Sequence, residues 1–527
     1  MKKLLLFFFI VFAFSARAQI PEPAMFWLEG VGGNGYNEVG TFVSKTTDGG
    51  FIINIGTNSA SGTGNIDSFC ASSSIGDRTI FLKYNSDASI LEWSKCSTNG
   101  SYIYPQSDGS FIFGGITSSV PSGWAFKIMK EDALGAVLWS KTYGGQAASA
   151  RLSGMIATED HGYIMIGETN YSDTDFISHY GSWTDDDIAI LRIDSNGNKV
   201  WTKVIGGSSE DKAVAIVTAP SDGCYVLGST LSSDYDCTGS LGGGDLYLAR
   251  LDKNGNILWH RDIGGSGGEY ASYGVSNGKG GIIIAGATSS LDVDVTVYPS
   301  YGCPIWALEV DSNKNVLWDN CYGGGGSNCY PNAICKATDG SIWIAGVSTL
   351  KGGQVDSGYG RDDAFFIHTD SVGKFINAKV LGSHLWDRGM MVYPLSNGNV
   401  IAGGFYDTSG GSFNSLVTYT TYPNSNAFLT VFETHTTNIA EVHSKNNKAE
   451  IYPNPTTEKI NIKLSRSISD HYRIVISNIM GKQVYDHILQ NHEEYLAVSI
   501  NNWQTGMYYV EVMDEDGYRS VQKLIVE

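Results

Sequence analysis

Residues 213–263 read AVAIVTAPSDGCYVLGSTLSSDYDCTGSLGGGDLYLARLDKNGNILWHRDI, and this stretch decides the fold. It holds four strand-like runs: Ala213 to Val217, Tyr225 to Leu227, Leu246 to Leu251 and Ile257 to Ile263. Asp222-Gly223 separates the first two, and Asp252-Lys253-Asn254-Gly255-Asn256 the last two. Asn-Gly between apolar runs is a strong hairpin signal, because the central residues of the tight turn need positive φ. No helical period of apolar residues runs through the stretch.

The same pattern recurs along the chain. The first turn returns as Asp48-Gly49, Asp108-Gly109, Asp160-His161-Gly162, Asn277-Gly278, Asp339-Gly340 and Asn397-Gly398, at intervals of 52 to 62 residues. A short apolar run ending at glycine follows, as in Tyr163 to Gly167 and Ile342 to Gly346. The closing run carries Trp93, Trp139, Trp201, Trp259 and Trp318, with Ala378 in the sixth slot. A Gly pair usually comes next, as at Gly206-Gly207 and Gly264-Gly265. One such unit leaves an apolar face bare, and stacking neighbours covers it. Four-stranded units of this length predict an all-β chain folded as a β-propeller.

The two ends complement each other. The seventh unit, Met391 to Phe432, lacks a Trp strand, while the start offers Trp27 and Gly32-Gly33. The N-terminal strand is therefore expected to join the last unit and close a seven-bladed propeller over residues 19–436, leaving no open sheet edge. The W-x-K-x-x-GG, T-x-D-G-G and L-D-x-x-G-N elements resemble a propeller family common in secreted proteins of Bacteroidetes. Such a resemblance implies a fold and leaves activity open, since propellers host enzymes and binders alike.

Lys2-Lys3, the apolar run Leu4 to Phe14 and Ala16-Arg17-Ala18 form the pattern of a secretory signal peptide over residues 1–18, cut between Ala18 and Gln19. No later stretch is long and apolar enough to predict a membrane span in the mature chain. With 35 Lys+Arg against 54 Asp+Glu, the net charge of −19 repels phosphate backbones and argues against nucleic acid as a partner. Export permits disulfides among Cys70, Cys96, Cys224, Cys237, Cys303, Cys321, Cys329 and Cys335. Repeat position suggests pairing Cys224 with Cys237 and Cys321 with Cys335, with Cys329 competing for either of the latter two.

After a polar linker at 437–448, residues 449–527 read as alternating strands. Tyr452-Pro453-Asn454-Pro455, Met480-Gly481-Lys482, Gly506 to Val510 (with Tyr508) and Lys523-Leu524-Ile525 resemble the type IX secretion C-terminal sorting domain, type A. That resemblance implies a small β-sandwich, the type IX secretion machinery as partner, and an exported protein that is released or attached to the outer-membrane surface.

Two enzyme fingerprints carry little weight. Gly30-x-Gly32-x-x-Gly35 precedes no helix on which a phosphate could sit. Gly264-x-Ser266-x-Gly268 falls in a repeat turn that the preceding unit also has. Better candidates lie in long insertions between the second and third strands. Three hold aspartate pairs, Asp173/Asp175, Asp234/Asp236 and Asp292/Asp294, and Asp356 is the nearest equivalent in the sixth unit. Aromatic residues accompany them, among them Trp183, Tyr235 and Tyr359. Insertions at one repeat position emerge on one face. Acid pairs there suit turn capping, calcium ligation or hydrogen bonds to sugar hydroxyls, and the aromatic rings suit stacking. A second recurrent acid, Glu38, Asp211, Glu269 and Asp387, follows the Gly pair and is expected to hold that turn.

These residues predict a monomeric, non-enzymatic binding scaffold for a glycan or protein ligand, needing no cofactor beyond an optional calcium ion. The rival expectation is a polysaccharide hydrolase or lyase using an acid pair on the insertion face. A third is a purely structural surface component.

Overall fold

A computed structural model describes residues 25–31, 39–46, 48–57, 78–97, 100–120, 123–147, 150–297, 305–323, 329–349, 354–355, 359–407, 411–413, 426–432, 449–464, 471–478, 483–490, 495–503, 506–514 and 519–526. The signal peptide with Ala18 and Gln19, the linker at 437–448, Asp356 and Gly481 fall outside these residues. The chain divides into two compact units, residues 1–434 and 435–527.

The described part of the first unit is all-β and built of four-stranded antiparallel sheets. In the sheet of residues 211–263, Asp211–Ala219, Gly223–Thr230, Asp245–Leu251 and Ile257–Ile263 lie side by side in chain order. The sheets spanning residues 39–97, 102–147, 150–205, 269–322 and 329–381 repeat that order. In a further sheet, Asp387–Pro394, Val400–Tyr406 and Asn426–Phe432 are followed by Met25–Val31. There Trp27 stands opposite Val431, and Gly30 opposite Phe428.

The middle strands are apolar without alternation because both their faces are covered. Tyr163–Thr169 and Asp187–Ile193 are buried at every residue. Ile164 and Ile190 pack against Val226 and Tyr247 of the next sheet, and Leu227 and Leu248 against Ile284 and Trp306 of the one after. Burying each such side chain contributes about 1.5–3 kcal/mol, which is what holds one sheet on another. The first strand of the 39–97 sheet also packs against Asp387–Pro394 and Val400–Tyr406.

The first strands, apart from Tyr102–Pro105, share an irregularity. Register shifts fall between Gly40 and Phe42, Leu152 and Gly154, Ala213 and Ala215, Ala271 and Tyr273, Pro331 and Ala333, and Gly389 and Met391. At five of these bulges a first-strand carbonyl, that of Arg151, Lys212, Tyr270, Tyr330 or Arg388, stands close to the second strand. The glycine that ends the apolar run stands there: a side chain on Gly404 would overlap the carbonyl of Arg388.

Register also corrects the repeat alignment. Trp201 stands opposite Arg192 and Trp259 opposite Arg250, and the residue opposite His368 is Asn377. The sixth tryptophan slot is therefore Asn377, one residue before Ala378.

The proposed cysteine pairs do not form. Cys224, Cys237, Cys321 and Cys335 carry free thiols and are buried, Cys329 is buried with its thiol 3.4 Å from Ser348 Oγ, and Cys96 is disulfide-bonded. Cys321 packs between the sheets of 211–263 and 269–322, whereas Cys335 packs with Phe366 and Phe428, in a different layer. The Cys237 thiol instead lies 3.6 Å from Asp211 Oδ1. These cysteines act as small apolar fillers.

The second unit holds two sheets. One orders Ala449–Tyr452, Lys459–Leu464 and Tyr495–Ser499, and the other Gln483–Gln490, His471–Asn478, Gly506–Asp514 and Arg519–Val526. Ile460, Ile462 and Val498 of the first meet Ile474, Val510 and Leu524 of the second in one core.

Candidate functional site

In an up-and-down sheet, the joins from strand one to two and three to four lie on one edge. The join from two to three and the passage to the next sheet lie on the other. The insertions therefore share an edge with the Gly-pair turns, and the aspartates knit the two together.

Asp234 Oδ1 accepts from the Ser208 amide at 2.7 Å, and Asp292 Oδ1 from the Ser266 amide at 2.8 Å. The second aspartate of each pair bonds through its own amide to the first glycine of the turn, Asp236 N to Gly206 O at 3.2 Å and Asp294 N to Gly264 O at 3.0 Å. Asp175 Oδ2 accepts from the Gly144 amide at 2.9 Å while its Oδ1 pairs with Lys199 at 2.6 Å. Asp294 likewise accepts from Gly264 and pairs with Arg261. Asp173 Oδ1 caps its own loop, accepting from the amides of Asp175 and Phe176.

An apolar side chain follows each pair and is buried: Phe176, Cys237 and Val295. The sixth insertion does the same with Gln354 and Val355. The Gln354 amide donates to Gly323 O at 3.0 Å, and its Oε1 accepts from Gly323 N at 3.3 Å. Gln354 thus fills the role expected of Asp356. In the seventh sheet, Ser412 N bonds Gly382 O and Phe413 is buried. The recurring element is a polar residue followed by a buried apolar one, legible in D-x-D-F, D-Y-D-C and D-V-D-V once the second aspartate is read as an anchor.

Asp173, Asp234 and Asp292 each accept N–H bonds through Oδ1, and the cations beside Asp175 and Asp294 are the protein's own lysine and arginine. Among the described residues no group of three His, Cys, Asp or Glu side chains could hold a metal ion.

Of the acids after the Gly pair, Glu38 lies outside the described residues, and Asp211, Glu269 and Asp387 are buried beneath the turn. Asp211 Oδ2 accepts from Gly207 N at 2.7 Å and Ser232 Oγ at 2.9 Å, and Glu269 Oε2 from Gly265 N at 2.9 Å. A third recurrent acid escaped the sequence reading, at the first position of the third strand. Asp187, Asp245 and Asp363 are fully buried. Each holds its insertion through one oxygen, accepting from Tyr180 N at 2.7 Å, Leu241 N at 2.8 Å and Tyr359 N at 3.2 Å. The other oxygen of each has no hydrogen-bond partner among the described residues. Burial pushes Asp187 up to about 8, helped by the charge of Asp211, and raises Asp245 and Asp363. The signal was visible, since all three stand directly before an apolar run.

This edge exposes aromatic side chains, alongside aliphatic ones such as Ile177 and Leu291. Trp183 is 75% exposed and Tyr235 64%. Tyr171 and Tyr359 are exposed as well, as are Tyr270 and Tyr330 near the start of their first strands. The rings of Tyr180 and Tyr235, on insertions of adjacent sheets, sit 4.7 Å apart.

In the second unit, Tyr452, Pro453, Asn454 and Pro455 are exposed. Asn454 Oδ1 accepts from the Ile525 amide at 2.8 Å, and Thr456 N donates to Ile525 O at 3.0 Å. The two ends of the motif set therefore touch. Gly506 opens its strand, Tyr508 is buried against Trp503, and Lys523 stands opposite Tyr509.

Residues 450–527 match the family described as a secretion system C-terminal sorting domain. A type IX sorting domain is thus present, and it implies export followed by secretion or cell-surface attachment. No helix among the described residues is long and apolar enough to cross a membrane. No curated protein sequence matches the chain. Among solved structures it is similar to a protein of unknown function from Dyadobacter fermentans DSM 18053, at 10% identity over 79% of this chain and 100% of that one, TM-score 0.37. It is similar also to a puromycin hydrolase, at 10% identity over 81% of this chain and 58% of that one, TM-score 0.40. A third is the BBS1N chain crystallised with ARL6DN, at 9% identity over 79% and 99%, TM-score 0.37. Likeness of this extent carries no inference about activity.

Proposed function

We propose that the chain is an exported, non-catalytic glycan-binding protein, in which residues 19–436 form a closed seven-bladed β-propeller and the aromatic edge takes the ligand. Residues 1–18 act as the signal peptide, and the C-terminal domain hands the protein to the type IX machinery. The pairing of Met25–Val31 with Asn426–Phe432 supports closure, as does packing of the first strand of the 39–97 sheet on Asp387–Pro394.

One observation carries the binding reading: exposed aromatic rings recur on the insertion edge, and Tyr180 and Tyr235 join two insertions. Flat aromatic faces stack on sugar rings and cost little conformational entropy to order. A hydrolase or lyase would need a carboxylate pair available to substrate. The pairs at 173/175 and 292/294 are engaged by backbone amides, Lys199 and Arg261.

The test is a glycan array probed with the mature full-length protein and with Trp183→Ala plus Tyr235→Ala. Binding to a defined glycan, weakened at least tenfold in the variant with unchanged melting temperature, is expected. Binding to no glycan, or equal binding by the variant, would remove the reading, and capture of a protein ligand alone would replace it.

A further inference from the structure

Away from the insertions, the first unit has an open cavity of about 650 Å³. Six first strands line it: Val39–Lys45, Ala150–Ala157, Asp211–Ala219, Glu269–Ser276, Cys329–Lys336 and Asp387–Pro394. Its remaining lining comes from Gly49, Ser86, Thr338, Leu395 and Ser396, which belong to the turns on the edge opposite the insertions. The cavity therefore reaches the turn edge.

The lining is divided by chemistry. Its body is lined by Ile156, Val275 and Met390 together with Asn332 and Tyr273, while Ile216, Ile334 and Met391 border it from the layers between sheets. Its charged residues are Lys45 and Lys336, and among the described residues no carboxylate lines it. In a chain of net charge −19 this is a local reversal of sign. Lys336 Nζ is held by Asn277 O at 2.8 Å, and Lys45 is exposed. The turn acids beside these lysines are already engaged: Asp48 accepts from Gly50 N and pairs with Lys83, and Asp339 accepts from Ser341 N. Hydroxyls of Thr218, Ser276 and Thr338 stand near the lysine end of the strands.

We infer that this cavity is a second binding site, for an organic anion with an aliphatic body of the medium-chain carboxylate class. The head is drawn to the lysine end of the cavity, and the chain lies among the apolar lining residues. Cavities of 300–1,000 Å³ with mostly apolar walls and a few placed polar groups are the usual form of small-ligand sites. The cationic end excludes an ammonium head, and the aliphatic walls disfavour a fully polar anion such as citrate.

Calorimetry on the mature full-length protein tests this, with hexanoate, octanoate and decanoate, and with octanol, octylamine and citrate as controls. Carboxylate affinity should rise about fourfold per added methylene until the chain fills the cavity. Lys45→Gln plus Lys336→Gln should weaken octanoate at least tenfold while leaving octanol unchanged, with far-ultraviolet dichroism unaltered. Octanoate bound equally by the double variant, octylamine bound as tightly as octanoate, or no octanoate binding at millimolar concentration would each overturn the assignment. These outcomes are independent of glycan binding on the insertion edge.

Discussion

The indole of Trp201 lies on Gly255 of the next sheet, where an added Cβ would sit 2.9 Å from the ring, and Trp201 Nε1 donates to Lys253 O at 3.0 Å. Two sequence signatures, the tryptophan of one unit and the Asn-Gly turn of the next, are thus two halves of one contact. Trp139 on Gly197 and Trp318 on Gly373 repeat it. Gly255 has φ of +82°, which a side chain disfavours by about 1–2 kcal/mol before any clash with the ring. Gly255→Ala should therefore cost about 2–4 kcal/mol in denaturant unfolding. Gly278, with φ of +73° and nothing within 4 Å of an added Cβ, serves as control, and Gly278→Ala should cost only about 1–2 kcal/mol. Equal losses would mean that the ring contact contributes nothing.

Two described copies of the turn depart from the pattern. Ala88 and Lys314 stand where the others have glycine, at φ of +63° and +65°, and beside Lys314 the Trp259 Nε1 still reaches Ser312 O at 3.0 Å. The backbone strain is retained without the residue that relieves it. Lys314→Gly should stabilise the protein by about 0.5–1 kcal/mol, net of the entropy glycine adds to the unfolded chain. A fall in melting temperature would contradict this.

The repeat was legible because turns are local: Asp-Gly and Asn-Gly state their φ requirements in adjacent residues. The partners of the aspartates were not legible, because Asp234 and Asp292 cap amides 26 residues upstream, in a different strand connection. The same distance effect hid Gln354 behind Asp356 and misassigned the tryptophan slot to Ala378 instead of Asn377. The cysteine pairs failed because proximity in the chain does not place Cys321 and Cys335 in one inter-sheet layer. The cavity leaves no local signature at all, since its walls come from six units.

The buried acids set the pH dependence of stability. Burial pushes Asp187 up to about 8, with the charges of Asp211, Asp186 and Asp236 adding to it and His179 lying 3.8 Å away. Burial pushes Asp387 up to about 7, with Asp363 adding. A carboxyl raised in the folded state holds a proton that the unfolded chain has lost, so its stabilisation is full below about pH 4 and fades as pH rises to 7–8. Asp48 and Asp160, each lowered to about 2, act oppositely, and their contribution disappears only below about pH 4. Stability should peak near pH 5 and fall by a few kcal/mol by pH 9. Asp387→Asn, which keeps an acceptor for Ser383 N but cannot ionise, should flatten the alkaline fall. Denaturant melts at pH 5, 7 and 9 that coincide for the wild type would refute the account.

The buried thiols give a chemical check on the inter-sheet packing. Burial pushes the thiols of Cys224 and Cys321 up to about 12, and those of Cys237 and Cys335 are raised further. A thiol that cannot ionise and cannot meet reagent does not react, because the thiolate is the nucleophile. Native protein at pH 8 should leave Cys224, Cys237, Cys321, Cys329 and Cys335 unmodified by iodoacetamide over hours, and all five should alkylate in guanidinium without prior reduction. Peptide mapping reads each site. A mass corresponding to a 224–237 or 321–335 disulfide would mean that the layers carrying these residues are arranged differently. Rapid native labelling of Cys335 alone would place the fault in the packing of the 329–381 sheet on the sheet of 387–432, where Cys335, Phe366 and Phe428 share one apolar layer.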